Sequence, residues 1–283
     1  EAIASFRSSR VLERLGDKGR KAINQLMPLT ISAAVNTPAP SQTLERVTQF
    51  FRQVAQRSMY LSLLLEHPLA LTELLQLASR SPWIVNHISQ DPLLLDELLN
   101  PNKLYEPLIK SALSSELKRK LAVLDSDDIE VQIQALRHFQ LIYILRVAAA
   151  DITGAIPLIT VSDYLTDIAE VLLEEAARLA WRSACRKYGV SDVSVAQLSG
   201  FGIIARGVLG ARELSYDSPL ELEFLYDVGA GSQIEPGAKR FYKFLARRIY
   251  LLLTSRTVSG AIYPIQVRAE EGGASELLIH ELA

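Results

Sequence analysis

The chain has 283 residues, 49% hydrophobic and 22% charged, the proportions of an ordinary folded protein rather than a disordered or fibrous one. Its net charge of -2 gives no overall electrostatic attraction for nucleic acid. No apolar stretch approaches the ~18–20 residues that a membrane-spanning helix needs, and the single cysteine, Cys185, excludes an internal disulfide. The first residues, EAIASFRSSR, lack the apolar core of a signal peptide. A cytoplasmic protein with no membrane and no nucleic-acid partner is expected.

The first two-thirds of the chain reads as helix. Ala4 to Met27 carries mixed charge and is expected to stop before Pro28. Thr37-Pro38-Ala39-Pro40-Ser41 is a connector, because proline ends a helix and restricts the residue before it. The next helix runs from Thr43 to Leu65 and closes at His67-Pro68, and another, rich in leucine, spans Leu69 to Ser79. Ser81-Pro82 and Asp91-Pro92 each read as a capping residue followed by proline at the first helical position. The second of these leads into Leu93 to Leu99, with Asn100-Pro101-Asn102 closing it.

Asp125, Asp127 and Asp128 form an acidic turn, read as a helix cap because the glycine and distal glutamate of a calcium loop are absent. From Glu130, the residues Leu136, Phe139, Tyr143 and Val147 recur at intervals of three and four, the mark of one buried helical face, until Gly154 and Pro157. Ser162 or Asp163 is expected to cap a second long helix, reaching about Tyr188-Gly189, in which Cys185 has a packing role. His67, His87, His138 and His280 show no metal-ligand spacing and read as surface or helix-end residues.

After Gly200 the composition turns to strands. Phe201 to Ala205 is apolar and leads into a turn, Arg206-Gly207-Val208-Leu209-Gly210. Ser218 to Tyr226 then alternates, with Pro219, Glu221 and Glu223 on one face and Leu220, Leu222 and Phe224 on the other. Acids at i and i+2 on a strand that follows a glycine turn are how a nucleotidyltransferase holds magnesium and a nucleoside triphosphate. A helix from Ala238 to Ser255 presents Lys239, Arg240, Lys243, Arg247 and Arg248 as a solvated basic face over a buried side of Phe241, Phe244, Leu245 and Ile249. A final strand is expected from Ala261 to Arg268.

Several stretches carry a family resemblance by their order and spacing. They include Arg57-Ser58-Met59-Tyr60-Leu61, Ser81-Pro82-Trp83-Ile84, Asp91 to Leu99, Arg146-Val147-Ala148-Ala149-Ala150-Asp151-Ile152, Thr254-Ser255-Arg256-Thr257 and Gly260-Ala261-Ile262-Tyr263. From about Phe6 to Ile279 the chain resembles the C-terminal, adenylylating half of the bacterial glutamine synthetase adenylyltransferase/adenylyl-removing enzyme family. The resemblance implies an α+β fold, with a helical domain over 1–192 and a small DNA polymerase β-like nucleotidyltransferase domain over 193–283, after which the family continues into further helices. It also implies AMP transfer from ATP to a tyrosine of glutamine synthetase, with Mg2+ as cofactor, and glutamine synthetase and a PII-type signal protein as partners.

The family's catalytic motifs are a G-x-G-K-L-G turn, an S-D-L-D-L strand and a D-x-R-L-R-P strand. Gly207, Leu209, Gly210, Ser218, Leu220 and Arg268 match. Val208 stands at the lysine position, Pro219 and Glu221 at the first two aspartates and Gln266 at the third. By resemblance Gly207, Gly210, Ser218 and Arg268 are nucleotide-binding positions, Glu221, Glu223 and Gln266 are the catalytic region, and Glu221 with Glu223 are the candidate metal ligands. Losing two of three carboxylates leaves too little negative charge for two magnesium ions with a triphosphate. A catalytically degenerate member acting through binding is therefore expected. The alternative is an active magnesium-dependent adenylyltransferase whose acidic site is remodelled around Glu221 and Glu223, with Asp217 or Glu270-Glu271 contributing.

Overall fold

The computed structural model describes residues 2–125, 128–190, 200–227, 237–267 and 279–281. In chain order the helices are α1 (Ala2–Arg7), α2 (Arg10–Glu13), α3 (Asp17–Ala34), α4 (Pro40–Val54), α5 (Ser58–Glu66), α6 (Pro68–Arg80) and α7 (Pro82–Gln90). A 3-10 segment (Pro92–Leu99) leads to α8 (Pro101–Leu104), α9 (Lys110–Leu121), α10 (Ile129–Thr153) and α11 (Leu158–Tyr188). Then come β1 (Phe201–Arg206), α12 (Gly207–Gly210), β2 (Leu220–Tyr226), α13 (Ala238–Thr254), β3 (Ile265–Val267) and β4 (Ile279–Glu281). The chain is thus mostly helical, with a small mixed sheet near its end. Among the described residues no helix is long and apolar enough to cross a membrane.

Several boundaries differ from the sequence reading. Pro28 does not end its helix but lies inside α3, where the buried Thr30 hydroxyl donates to the Leu26 carbonyl at 2.9 Å. The stretch expected as one helix from Thr43 to Leu65 breaks at 55–57 into α4 and α5. Asn100 closes the 3-10 segment as expected and also opens α8, its side chain accepting from the Lys103 amide at 3.4 Å. Asp91 caps as expected, accepting from the Leu93 amide at 3.2 Å, whereas the Ser81 side chain makes no capping bond. Asp128 accepts from the Val131 amide at 3.1 Å at the start of α10, and Asp127 lies outside the described residues. Leu158 begins α11, so Ser162 and Asp163 fall within it. The strand expected over 261–268 begins only at Ile265 and is described to Val267, Arg268 lying outside the described residues, while α9 and β4 carry no signal in the sequence reading.

The chain packs as two compact units. One comprises 1–107 and 141–158. Its core joins Phe6, Phe50 and Phe51, with ring centroids 6.4 and 6.1 Å apart, to the leucines of α5 and α6. His87, expected as a surface or helix-end residue, stands in the last turn of α7 but is buried there, and its Nε2 lies 2.9 Å from the Leu141 carbonyl oxygen. The amphipathic turn of α7 places it inward, because Ile84, Val85 and Ile88 occupy the same buried side. In the same unit Arg146 Nε and Nη2 both reach Glu97 Oε2, at 2.8 and 2.7 Å.

The other unit comprises 108–140 and 159–283. Its sheet is organised by β2, which pairs antiparallel with β1 along one edge. Along its other edge β2 pairs in parallel with β3 over 220–222 and with β4 over 224–226. Leu220, Leu222, Phe224 and Tyr226 are buried while the residues between them are half-exposed, the period-two pattern expected. The buried face meets α13: Phe201 stacks against Phe224 and Tyr242, and Tyr226 lies 5.4 Å from Tyr242. The far side of α13 meets α11 through Trp181 and Phe241, 5.3 Å apart edge to face. Cys185 is buried in α11. The basic face of α13 is exposed at Lys239, Arg240, Lys243 and Arg247, as its alternation with Phe241, Leu245 and Ile249 implies. The expected boundary at 192/193 lies outside the described residues.

Candidate active site on the acidic face of the small sheet

The polar face of the sheet gathers most of the residues expected at the site. Residues opposite one another on paired strands project to the same side. Arg206 is opposite Glu221 and Glu221 is opposite Gln266, which makes a row across β1, β2 and β3. Glu223 is opposite Ile204 in the next row. Glu221, Glu223 and Gln266 are therefore brought together, with Gln266 at the exposed end.

The turn after β1 is shaped by its glycines. Gly207 has φ +54°, in the left-handed region that side-chain-bearing residues avoid, and a Cβ there would fall on the Glu221 carboxylate. At Gly210 a Cβ would stand 2.6 Å from the Ala205 carbonyl oxygen, so only glycine lets the short α12 fold back on β1. Between them Val208 is half-buried and Leu209 buried, and neither offers a charge to a phosphate. Ser218 closes the next turn: its hydroxyl accepts from the Ser215 amide at 3.0 Å and lies 2.9 Å from the Ser215 hydroxyl. That hydroxyl is engaged locally.

Two arginines that the sequence reading left aside shape the site. Arg206 Nε donates to Glu223 Oε2 at 2.5 Å, and its Nη2 pairs with the same oxygen. His280 Nε2 stands 3.9 Å from the other carboxylate oxygen. Arg212, whose φ is +59°, ties the turn to α11 through Asp163 (3.3 Å), Asp167 (2.8 Å) and Glu170 (3.5 Å). Its bonds to Asp167 above all, with smaller contributions from Asp163 and Glu170, raise the guanidinium pKa against a desolvation penalty. Glu170 is shared with Lys110 at 2.6 Å, so α9, α11 and the turn are joined by one ionic chain. The alternation of β1 puts Arg206 on the acidic face once its register is known. Nothing in the sequence marks Arg212 as left-handed.

The donor set can be tested against a pair of magnesium ions. Among the described residues no group of three or more His, Cys, Asp or Glu is placed to hold a metal. Glu223 is already bound by a guanidinium, Gln266 is a neutral amide and Pro219 has no side-chain oxygen. Glu221 remains, with no hydrogen bond or ion pair among the described residues. Magnesium requires near-octahedral oxygen ligands, and bridging a triphosphate requires anionic ones. The described residues do not fit that arrangement. Arg268, Glu270 and Glu271 lie outside them.

Residues 71–283, which include the whole of this site, match the sequence model of the glutamate-ammonia ligase adenylyltransferase family. The chain belongs to this family. It is 42% identical over 99% of its length to the bifunctional glutamine synthetase adenylyltransferase/adenylyl-removing enzyme of Pseudomonas putida. The enzymes of that name from Methylococcus capsulatus and Vibrio parahaemolyticus are 41% and 39% identical over 98% and 99% of the chain. The matches cover 29%, 30% and 30% of those three relatives, so the chain spans about 30% of the length of the curated proteins it resembles. Within this adenylyltransferase family member, the sheet that carries Glu221 and Glu223 is intact and its acidic face is partly neutralised by Arg206.

Proposed function

We propose that this chain is a nucleotidyltransferase-like segment of a glutamine synthetase adenylyltransferase that has lost AMP transfer and acts by binding glutamine synthetase. The observation that carries the proposal is the Arg206–Glu223 pair. It takes one of two neighbouring acids out of service beside a strand on which Pro219 and Gln266 supply no anionic oxygen. Gly207 and Gly210 keep the turn's shape without metal, so the fold, and with it a docking surface, survives the loss of chemistry. The names of the relatives point to glutamine synthetase as the protein bound. A PII-type signal protein is the second partner implied by the resemblance, and a DNA polymerase β-like domain over 193–283 is the fold it implies. ATP and Mg2+ are then vestigial at this site.

A second reading has its own support. Glu221 carries no ion pair among the described residues, lies against Gly207 and shares a face with Glu223 and Gln266, so a magnesium-dependent adenylyltransferase with a remodelled acidic site is the competing proposal. The test is incubation of the chain with glutamine synthetase, magnesium and α-labelled ATP, alongside binding of glutamine synthetase to the immobilised chain. Binding without label on glutamine synthetase is expected. Label on a glutamine synthetase tyrosine, abolished by Glu221→Gln, overturns the first reading in favour of the second.

A further inference from the structure

The unit of 108–140 and 159–283 holds a recessed groove of about 660 Å³ that shares no lining residue with the acidic face of the sheet. Its volume lies within the ~300–1,000 Å³ typical of small-molecule sites. Lys118 of α9, Arg178, Arg182 and Arg186 of α11, and Arg248 of α13 line it, with Glu175 the one acid of the lining among the described residues. Glu175 is buried and engages Arg178 at 3.1 Å, which fixes that guanidinium in place. The three α11 arginines follow at intervals of four, so they rise on one side of the helix at ~6 Å per step. Leu121, Leu179 and Leu252 supply an apolar wall beneath them.

We propose that this groove binds a small molecule bearing two or more phosphate groups. Arg182 and Arg248 make no hydrogen bond or ion pair among the described residues, although Arg248 is only half-exposed. Arg182 stands exposed, but setting the half-buried Arg248 among other cations is unfavourable unless an anion completes the site. Burial lowers the Arg248 pKa, the direction for a cation taken from water without compensation. Guanidinium forks match phosphate oxygens two at a time, and a ladder of them suits successive phosphates better than a single carboxylate. The size of the groove suits a small molecule, and the leucines leave room for an apolar moiety beside the phosphates. The proposal is independent of whether the sheet retains transfer chemistry.

The experiment is calorimetric titration of the whole chain with sodium tripolyphosphate, then with ATP, both at physiological salt and with divalent metal chelated. Binding of at least one probe is expected, weakened at least ~10-fold by Arg182→Ala/Arg248→Ala, since each lost charge-assisted bond is worth about a factor of ten. Lys18→Ala, at an exposed lysine of α3, leaves it unchanged. Tighter binding of ATP than of tripolyphosphate identifies a nucleotide-like ligand, and the reverse identifies a free polyphosphate. If the double variant does not fold, Arg182→Lys and Arg248→Lys keep the charge and still weaken binding several-fold by removing the fork. No heat with either probe, binding untouched by the folded groove variants, or binding of hexaglutamate in place of both probes overturns the proposal. ATP binding that survives the groove variants but fails with Gly207→Ala would place the nucleotide on the sheet instead, which keeps this test distinct from that of transfer chemistry.

Discussion

Arg206 and Glu223 meet diagonally across β1 and β2, and their pairing decides how much negative charge the sheet presents. The arginine side chain is 47% exposed, so Arg206→Ala is expected to change unfolding free energy by less than about 1 kcal/mol in urea titrations. Its effect falls on charge rather than on stability. Restoring the family's ligands is the stronger manipulation. The quadruple variant Val208→Lys, Pro219→Asp, Glu221→Asp and Gln266→Asp is expected to gain magnesium-dependent heat on titration with ATP. A folded quadruple variant with no magnesium-dependent heat would show that more than these four positions has been lost.

The two turn glycines are expected to fail differently. Gly207→Ala places a side chain at φ +54° and costs about 1–2 kcal/mol from backbone conformation. Its steric conflict is with the Glu221 carboxylate, a flexible group, so Glu221→Ala recovers part of the loss. Gly210→Ala meets the Ala205 carbonyl, which cannot turn aside, and a cost of about 1–3 kcal/mol is expected with no recovery from Glu221→Ala. Urea denaturation of the four variants separates the two cases.

In the unit of 1–107 and 141–158, Arg146 and Glu97 form a pair whose side chains are 11% and 17% exposed. The guanidinium also lies over the Tyr143 ring, 4.9 Å from its centroid. Arg146→Ala strands a nearly buried carboxylate and is expected to cost about 3–5 kcal/mol, while the Arg146→Ala/Glu97→Ala pair costs less than the sum of the single changes. A double-mutant cycle by thermal or urea unfolding measures this. Additive losses would mean that the two side chains do not act on each other.

Burial pushes the Tyr263 hydroxyl up to about 12, with its Gln140 hydrogen bond and the Arg137 charge pulling the other way. The folded pKa thus exceeds the unfolded value of 10.0, and the folded state holds the proton between the two. Stability is then fully present below pH ~10 and is lost as pH rises towards ~12. Tyr263→Phe is expected to flatten this alkaline loss by roughly 1–3 kcal/mol, measured as stability against pH from 9 to 12. An equally steep decline in the variant would assign it to other groups.

The elements with strong periodicity were legible in the sequence. The run from Leu220 to Tyr226 announced its buried and polar faces, and Phe241, Leu245 and Ile249 announced the buried side of α13. What failed was local punctuation. Pro28 reads as a stop, yet α3 continues through it with buried residues on both sides, because packing outweighs one missing backbone bond. His87 reads as a surface or helix-end residue and gives no local sign of burial, because its partner, the Leu141 carbonyl, is 54 positions away. Within the site, the sharing of a face by Glu221 and Glu223 followed from the period of two. The Arg206 bond to Glu223 required the pairing register, and the left-handed Arg212 is fixed by three acids of a helix far earlier in the chain. Both depend on long-range contacts that no local pattern encodes.

The helix α10 begins in one compact unit and ends in the other, the division falling between Gln140 and Leu141. The gene therefore offers no clean place to cut. A fragment ending at residue 107 would carry His87 and Glu97 but neither Leu141 nor Arg146, their partners. A fragment starting at 108 would carry the sheet together with a stretch of helix whose core belongs elsewhere. Excising the small sheet for separate expression would likewise sever Arg212 from α11 and Gln140 from the Ile262 carbonyl. Dissection of this protein into working parts calls for internal deletion or circular permutation rather than truncation.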